Sequence, residues 1–133
     1  AIGTNLAGTG AIGNSSNGIY IEAGAYNNTI GGSVSGAGNQ ISGNLADGIQ
    51  ITGSGSTGNI VRGNIIGLNR AGTSALANSD DGIDLESANN IVGGTGYYER
   101  NIISGNTNQG IEIEGASATG NLIVNNFIGT DIS

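Results

Sequence analysis

Four acidic residues occupy matching positions in two neighbouring segments of the sequence and form its clearest chemical signal. They are Asp84, Glu86, Glu112 and Glu114. In each segment one aliphatic residue separates the two acids, so both carboxylates would project from the same face of a strand. If the two segments are adjacent strands, the four carboxylates lie roughly 5–7 Å apart. Stacked charges of one sign repel, so the cluster is either a solvated acidic face or a site where a cation bridges the carboxylates.

Calcium is the cation that such a cluster would favour, because Ca²⁺ prefers several carboxylate oxygens and Asp80 and Asp81 lie close in sequence. A solvated face is the commoner role of a run of acids, and we favour that interpretation. A glycosidase would need two or three carboxylates at defined separations in a cleft, whereas these acids form a row on the outer face of neighbouring strands. We therefore predict no catalytic residues and no required cofactor, with calcium as the alternative to a solvated face.

Composition excludes several other classes of function. The chain has no Cys and no His, so it lacks a disulfide framework and the usual zinc, Ser-His-Asp and Cys-His sites. A net charge of −7 argues against nucleic acid and anionic membranes as partners. No apolar run approaches the ~20 residues of a membrane-spanning helix. The length of 133 residues predicts one domain, covering residues 1–133.

An internal repeat defines the elements that must position the acids. Gly, Asn and Ile make up half of the chain, with 27, 19 and 20 residues respectively. Residues 2–65 resemble residues 66–127, so that the sequence NNTIGG at 27–32 recurs as NNIVGG at 89–94. Within each long repeat a shorter unit occurs twice, and its segments are short, alternating and bounded by Gly, Asn or Ser. The repeats predict an all-β parallel solenoid with three short strands per coil and about four coils.

Equivalent residues of stacked coils form ladders, and these ladders predict the core. The inward ladders are Ile19, Ile49, Ile83 and Ile111; Ile21, Ile51, Leu85 and Ile113; Ile30, Val61, Val92 and Ile123; and Ile41, Ile66, Ile103 and Ile128. Branched aliphatic side chains interlock well in such stacks. A structural ladder of Asn side chains is predicted at the bends, where each amide can bond to its neighbours. Its members are Asn28, Asn59, Asn90 and Asn121.

Six apolar residues lie where strand alternation predicts polar side chains on the outer surface. They are Ile60, Ile65, Ile91, Ile102, Leu122 and Phe127. The longer coils carry inserts at 33–38, 70–80 and 95–100 that could cover these residues. Intramolecular cover is the favoured interpretation, and a lateral interface with another molecule is the alternative.

The repeat motifs resemble those of a known group of proteins. The segments NQISGN at 39–44, DGIQIT at 47–52 and NNTIGG at 27–32 are similar to right-handed parallel β-helix repeats of secreted and cell-surface microbial proteins, within the pectate-lyase-like superfamily. The resemblance implies a right-handed solenoid and an extracellular or cell-surface location. The matching residues are architectural and specify the fold. Some members of that superfamily cleave acidic polysaccharides with outward carboxylates, and the lyases among them also use Ca²⁺ and a basic residue as proton acceptor. Here Arg62, Arg70 and Arg100 map to other walls or inserts, and the chain has no Lys.

The two ends of the chain suggest how the molecule is used. Both fall at the same phase of the repeat, and neither shows the polar cap that a solenoid normally has. We expect a structural module that forms a fibre or surface layer by head-to-tail stacking with itself, or a segment flanked by further repeats of a longer chain. The alternatives are an enzyme or binding domain acting on polysaccharide, and a calcium-stabilised adhesin segment.

Overall fold

Short β-strands make up the regular structure of the chain. The computed structural model describes residues 1–131, which contain twelve strands and one 3-10 turn at Tyr97–Glu99. The strands are β1 Ile19–Ile21, β2 Thr29–Gly31, β3 Gln40–Ile41, β4 Ile49–Ile51, β5 Ile60–Arg62, β6 Ile65–Ile66, β7 Ile83–Leu85, β8 Ile91–Gly93, β9 Ile102–Ile103, β10 Ile111–Ile113, β11 Leu122–Val124 and β12 Phe127–Ile128. No helix in the described residues is long and apolar enough to cross a membrane.

The strands form three parallel sheets, and each coil of the chain adds one strand to each sheet. The first sheet has the order β1-β4-β7-β10, the second β2-β5-β8-β11 and the third β3-β6-β9-β12. All pairs are parallel. The predicted all-β solenoid with three strands per coil is therefore confirmed, and the last two residues of the predicted domain lie outside the described part. Ile2 extends the third sheet beyond β3 through a parallel bridge to Ile41.

The register of the sheets places the predicted aliphatic ladders in the core. Ile49 pairs with Ile19 on one side and with Ile83 on the other, and the remaining ladders follow the same one-to-one pairing. Inward-facing aliphatic side chains of the middle coils are completely buried, as at Ile51 and Ile66. Dense stacking of β-branched residues explains why strands of two or three residues persist, since each inner strand is paired on both sides.

Two kinds of loop alternate along the solenoid axis and account for the long sequence repeat. Hairpins at residues 4–11 and 68–75 follow the third sheet, each closed by an antiparallel bridge. Inserts at 33–38 and 95–100 separate the second and third sheets in the other coils. An inserted loop contacts the shorter corner of a neighbouring coil, as when Gly63 N donates to Glu99 O over 3.2 Å. Coils with and without an insert at a given corner therefore alternate, and the sequence repeats every two coils.

Glycine ends each strand that leads into an insert between the second and third sheets. Gly31 and Gly93 end β2 and β8 with φ of +91° and +95°. An added Cβ at either position would lie 1.9 Å from the carbonyl oxygen of the next coil. The equivalent residues of the coils without an insert are Arg62 and Val124. A side chain is thus excluded only where the chain must turn into the longer loop.

Candidate functional site

The acidic residues stand on the outer face of the first sheet. Strand pairing aligns Tyr20, Gln50, Asp84 and Glu112 across the four coils. The next outward position holds Glu22, Thr52, Glu86 and Glu114. Only the third and fourth coils thus have acids at both positions. We call the surface formed by Asp84, Glu86, Glu112 and Glu114 the acidic wall.

Asp84 is the most deeply buried residue of the acidic wall, with 5% of its surface exposed. Gln50 Nε2 donates to its Oδ2 over 2.9 Å. Its other oxygen, Oδ1, is buried without a hydrogen-bond partner. Burial raises the pKa of Asp84 to about 7; the Gln50 hydrogen bond opposes this rise, and the carboxylates of Glu86 and Asp47 add to it. The wall therefore contains a carboxyl group whose charged form is poorly satisfied by the protein alone.

Glu86 has more hydrogen-bond donors than Asp84, to which it is also hydrogen-bonded. Thr52 Oγ1 donates to Oε2 over 2.7 Å, and Gln50 Nε2 donates to Oε1 over 2.7 Å. The Thr52 hydrogen bond is the main reason that the pKa of Glu86 is lowered. Asp84, Glu112 and Glu114 each place a carboxylate oxygen within 4.8 Å of the other two. Three of the four acids that the sequence singled out thus form one group of carboxylates, and the fourth, Glu86, is hydrogen-bonded to Asp84.

A second group of carboxylates adjoins the acidic wall at the corner before the first sheet. Asp47, Asp80 and Asp81 place oxygens within 4.8 Å of one another. Asp47 Oδ1 accepts a hydrogen bond from Asp81 N over 3.0 Å, and burial raises the pKa of Asp47. A side-chain hydrogen bond with Asp81 raises the pKa of Glu112, which links the two groups. Sequence reasoning missed Asp47, although its position directly before Gly48 matches that of Asp81 before Gly82.

Basic residues lie away from the acidic wall. Arg62 follows Val61 on the second sheet and pairs with Glu99 of an insert, with Nη1 and Oε1 2.8 Å apart. Arg100 stacks over the rings of Tyr97 and Phe127, with its guanidinium carbon 5.3 and 5.4 Å from the two ring centroids. Arg70 lies in the 68–75 hairpin, and its N donates to Gly8 O over 2.9 Å. The carboxylates of the wall thus have no arginine beside them to accept a proton or bind an acidic sugar.

The structure places the predicted Asn ladder at the corner before the second sheet. Asn28 Nδ2 donates to Asn59 Oδ1 over 2.9 Å, and Asn59 Nδ2 donates to Asn90 Oδ1 over 3.0 Å. Each of these oxygens also accepts the backbone N–H of the preceding ladder member. At the last step Asn90 N still donates to Asn121 Oδ1, but Asn90 Nδ2 turns to Ser87 and Ala88.

Two further Asn ladders occupy the other corners. Before the third sheet the members are Asn39, Asn64, Asn101 and Asn126, and before the first sheet they are Asn14, Asn44, Asn78 and Asn106. The members of the first set recur in the sequence as Asn followed two residues later by Ile, whereas sequence reasoning missed the second set. The sequence does contain a signal for this second set, because an Asn lies four residues ahead of the Gly in each Gly-Ile pair that leads into a strand of the first sheet.

The six outward apolar residues differ in how well they are covered. Ile102 is 9% exposed, whereas Leu122 and Phe127 are 52% and 40% exposed. Ile60, Ile65 and Ile91 are half-buried. Ile65, Ile102 and Phe127 line one groove together with Tyr97, Tyr98 and Arg100. The insert at 95–100 thus contributes to the cover of the third sheet, and the surface is most open at the last coil.

Comparison with protein families, curated proteins and solved structures finds no match to this chain. The parallel solenoid follows from the strand pairing alone. The resemblance to secreted pectate-lyase-like repeats, with the location that it implies, stays a prediction.

Proposed function

We propose that the chain is a structural β-solenoid module whose last coil is bound by another coil of the same kind. The observation that carries this proposal is the state of Asn106, the last described member of its ladder. Asn44 Nδ2 and Asn78 Nδ2 each donate to the next Asn Oδ1, over 2.8 and 2.9 Å. Asn106 Nδ2 is buried and has no partner. An Asn oxygen from one further coil would satisfy this donor in the geometry that the ladder already uses.

The apolar core supports the same proposal. Ile113 and Ile128 are inward members of their ladders, yet each is 48% exposed, while Leu85 and Ile103 of the preceding coil are completely buried. We call the outer face of β10, β11 and β12 the open edge. Its strands have unpaired backbone groups beside exposed aliphatic side chains, a combination that favours addition of further strands. Burial of these side chains would supply the free energy of association.

The arrangement of the sheets distinguishes two sources of the added coil. Ile2 occupies the third sheet ahead of β3, where it is held by hydrogen bonds from Ile2 N to Gln40 O and from Ser42 N to Ile2 O, over 2.8 and 3.0 Å. If a second copy paired its β1 with β10, its own Ile2 would fall at the position in the third sheet that β12 already occupies. Flanking repeats of a longer chain would join without this conflict. Head-to-tail stacking of separate copies therefore requires release of the Ile2 segment.

Sedimentation velocity and negative-stain electron microscopy of the purified chain test this proposal. We expect concentration-dependent assemblies, and we expect Ile113→Lys combined with Ile128→Lys to abolish them by placing charges on the open edge. Leu45→Lys is the matched control, because Leu45 is 65% exposed at an inner coil corner.

A lengthened chain tests the second source of the added coil. Inserting a further copy of residues 67–128 after Ile128 continues the repeat in phase. In the lengthened chain we expect Ile113 and Ile128 to be buried by the added coils. We also expect its melting temperature to be higher than that of the original chain. Dispersed monomers of the original chain together with an unchanged melting temperature of the lengthened chain would contradict the proposal.

The proposed location is extracellular or on the cell surface, and it rests on the motif resemblance.

A polysaccharide-acting role has less support, because the arginines lie away from the acidic wall. That role predicts polysaccharide binding or cleavage that is lost in Asp84→Ala or Glu112→Ala.

A further inference from the structure

We propose that Asp84, Glu112 and Glu114 form a binding site for one Ca²⁺ ion that joins the third and fourth coils. Asp84 belongs to β7, whereas Glu112 lies on β10 and Glu114 directly follows it. The two strands are paired in register, with Glu112 opposite Asp84. An ion held by all three residues would therefore connect neighbouring coils along the axis. This proposal is independent of the assembly proposed above.

The distances between the carboxylates suit a calcium ion. One oxygen from each residue lies within 4.8 Å of the other two. Because Ca²⁺ binds oxygen at about 2.3–2.6 Å, two of its ligands are separated by at most about 5 Å. Three oxygens within this limit can thus be ligands of one ion.

A second observation points independently to a ligand at this position. Only 5% of the surface of Asp84 is exposed, and its Oδ1 has no hydrogen-bond partner. Its Oδ2 is already bonded to Gln50. A buried carboxylate oxygen without a donor is costly, and a bound cation would satisfy it directly. The neighbouring Glu86 shows the contrast, because donors from Thr52 and Gln50 occupy both of its oxygens.

The ligand set favours calcium over other common metal ions. All three ligands are carboxylates, and the chain has no Cys or His to select zinc. Glu112 is half-buried and Glu114 is exposed, which leaves solvent access for the water molecules that complete a coordination shell of six to eight. Magnesium requires a near-ideal octahedron and dehydrates reluctantly, so a site made of three carboxylates on two neighbouring coils binds it less well.

Calorimetric titration of the chelator-treated chain with Ca²⁺ tests the site. We expect one ion per chain, a melting temperature that rises with calcium concentration, and weaker binding of Mg²⁺. Asp84→Asn should weaken calcium binding by about tenfold or more, since it removes a charged ligand. Glu22→Gln is the matched control, because Glu22 has the equivalent wall position of the first coil and should leave the affinity within about twofold.

A second variant separates loss of the site from loss of the fold. Glu112→Gln should weaken calcium binding in the same way, and the circular dichroism spectra of both variants without calcium should match that of the original chain. Failure of the original chain to bind calcium at millimolar concentration would overturn the proposal. Unchanged calcium affinity of the Asp84→Asn variant, or equal affinity for magnesium, would also overturn it.

Discussion

At the scale of single residues, the corners depend on the two-sided chemistry of the Asn side chain. Its Oδ1 accepts hydrogen bonds from the preceding coil while its Nδ2 donates to the next, so one residue type can continue a ladder without limit. Asp offers acceptors only. Asp47 Oδ1 and Asp81 Oδ1 accordingly accept backbone N–H groups, from Asp81 and from Gln109, over 3.0 and 2.7 Å.

Replacement of a central ladder member should be strongly destabilising. Asn64 is 1% exposed, and its Nδ2 donates to Ile30 O and Asn101 Oδ1, each over 3.0 Å. Its Oδ1 accepts from Asn39 N over 3.0 Å. Because Asn64→Ala leaves buried groups unpaired, we expect the free energy of unfolding to fall by about 3 kcal/mol in urea denaturation.

The exposed Asn108 provides the matched control for this substitution. Its Nδ2 makes a solvent-exposed hydrogen bond of 3.2 Å to Asp80 Oδ1. Asn108→Ala should therefore change the free energy of unfolding by less than about 0.5 kcal/mol. Equal effects of the two substitutions would show that the ladders do not hold the coils together.

At the scale of elements, the strands are too short to be stable alone and depend on their neighbours and on the inserts. The insert at 95–100 is attached through Glu99, whose Oε2 accepts from Gly96 N and whose Oε1 accepts from Arg62 Nη1, each over 2.8 Å. Tyr97, in the same insert, contacts Arg100. The insert is therefore a built part of the third-sheet surface.

Loss of the Glu99 ion pair should loosen this insert without unfolding the solenoid. Both side chains of the pair are partly buried, at 28% and 18% exposure. We expect Glu99→Gln to lower the free energy of unfolding by about 1 kcal/mol. Limited proteolysis should become faster within residues 95–100, and Glu22→Gln should leave the cleavage rate unchanged. An unchanged rate in Glu99→Gln would contradict the role given to the ion pair.

At the scale of the whole molecule, negative charge is unevenly placed. The net charge is −7, and most of the acids lie on the acidic wall or at the adjoining corner. The hydrogen-bonded ladders surround the core at three corners, while the open edge exposes core residues of the last coil. Assembly and cation binding would thus act on different surfaces of the same last coil.

The stability of the metal-free chain should depend on pH through Asp84. The folded carboxyl takes up a proton near pH 7, whereas the unfolded carboxyl does so near its ordinary pKa of 3.8. The folded state binds more protons between these values, so the free energy of unfolding should rise as pH falls through 7 and stop rising near 4. The lowered pKa of Glu86 opposes this trend only below its ordinary value of 4.5.

Thermal melts in chelator at several pH values check this dependence. We expect a higher melting temperature at pH 5 than at pH 8, and a smaller difference between the two in Asp84→Asn. A melting temperature that rises with pH over this range would contradict the burial of the Asp84 charge.

The sequence alone determined the solenoid, its three strands per coil and the membership of its ladders. A repeat that preserves phase must align equivalent residues when coils stack at the ~4.8 Å spacing of paired strands. Ile19 therefore meets Ile49, and Asn28 meets Asn59, whatever the details of the loops. The ladder of Asn44 and Asn78 was also encoded in the spacing.

Only the tertiary structure decided which acids meet and which are covered. Glu86 and Glu114 hold equivalent positions, yet Thr52 and Gln50 bind Glu86 while Glu114 approaches Asp84. The sequence period determines the strand position and face on which a side chain lies. The side-chain rotamer and the neighbouring coils determine where its carboxylate oxygens lie. Burial of Ile102 likewise depends on the path of an insert, and the repeat does not specify that path.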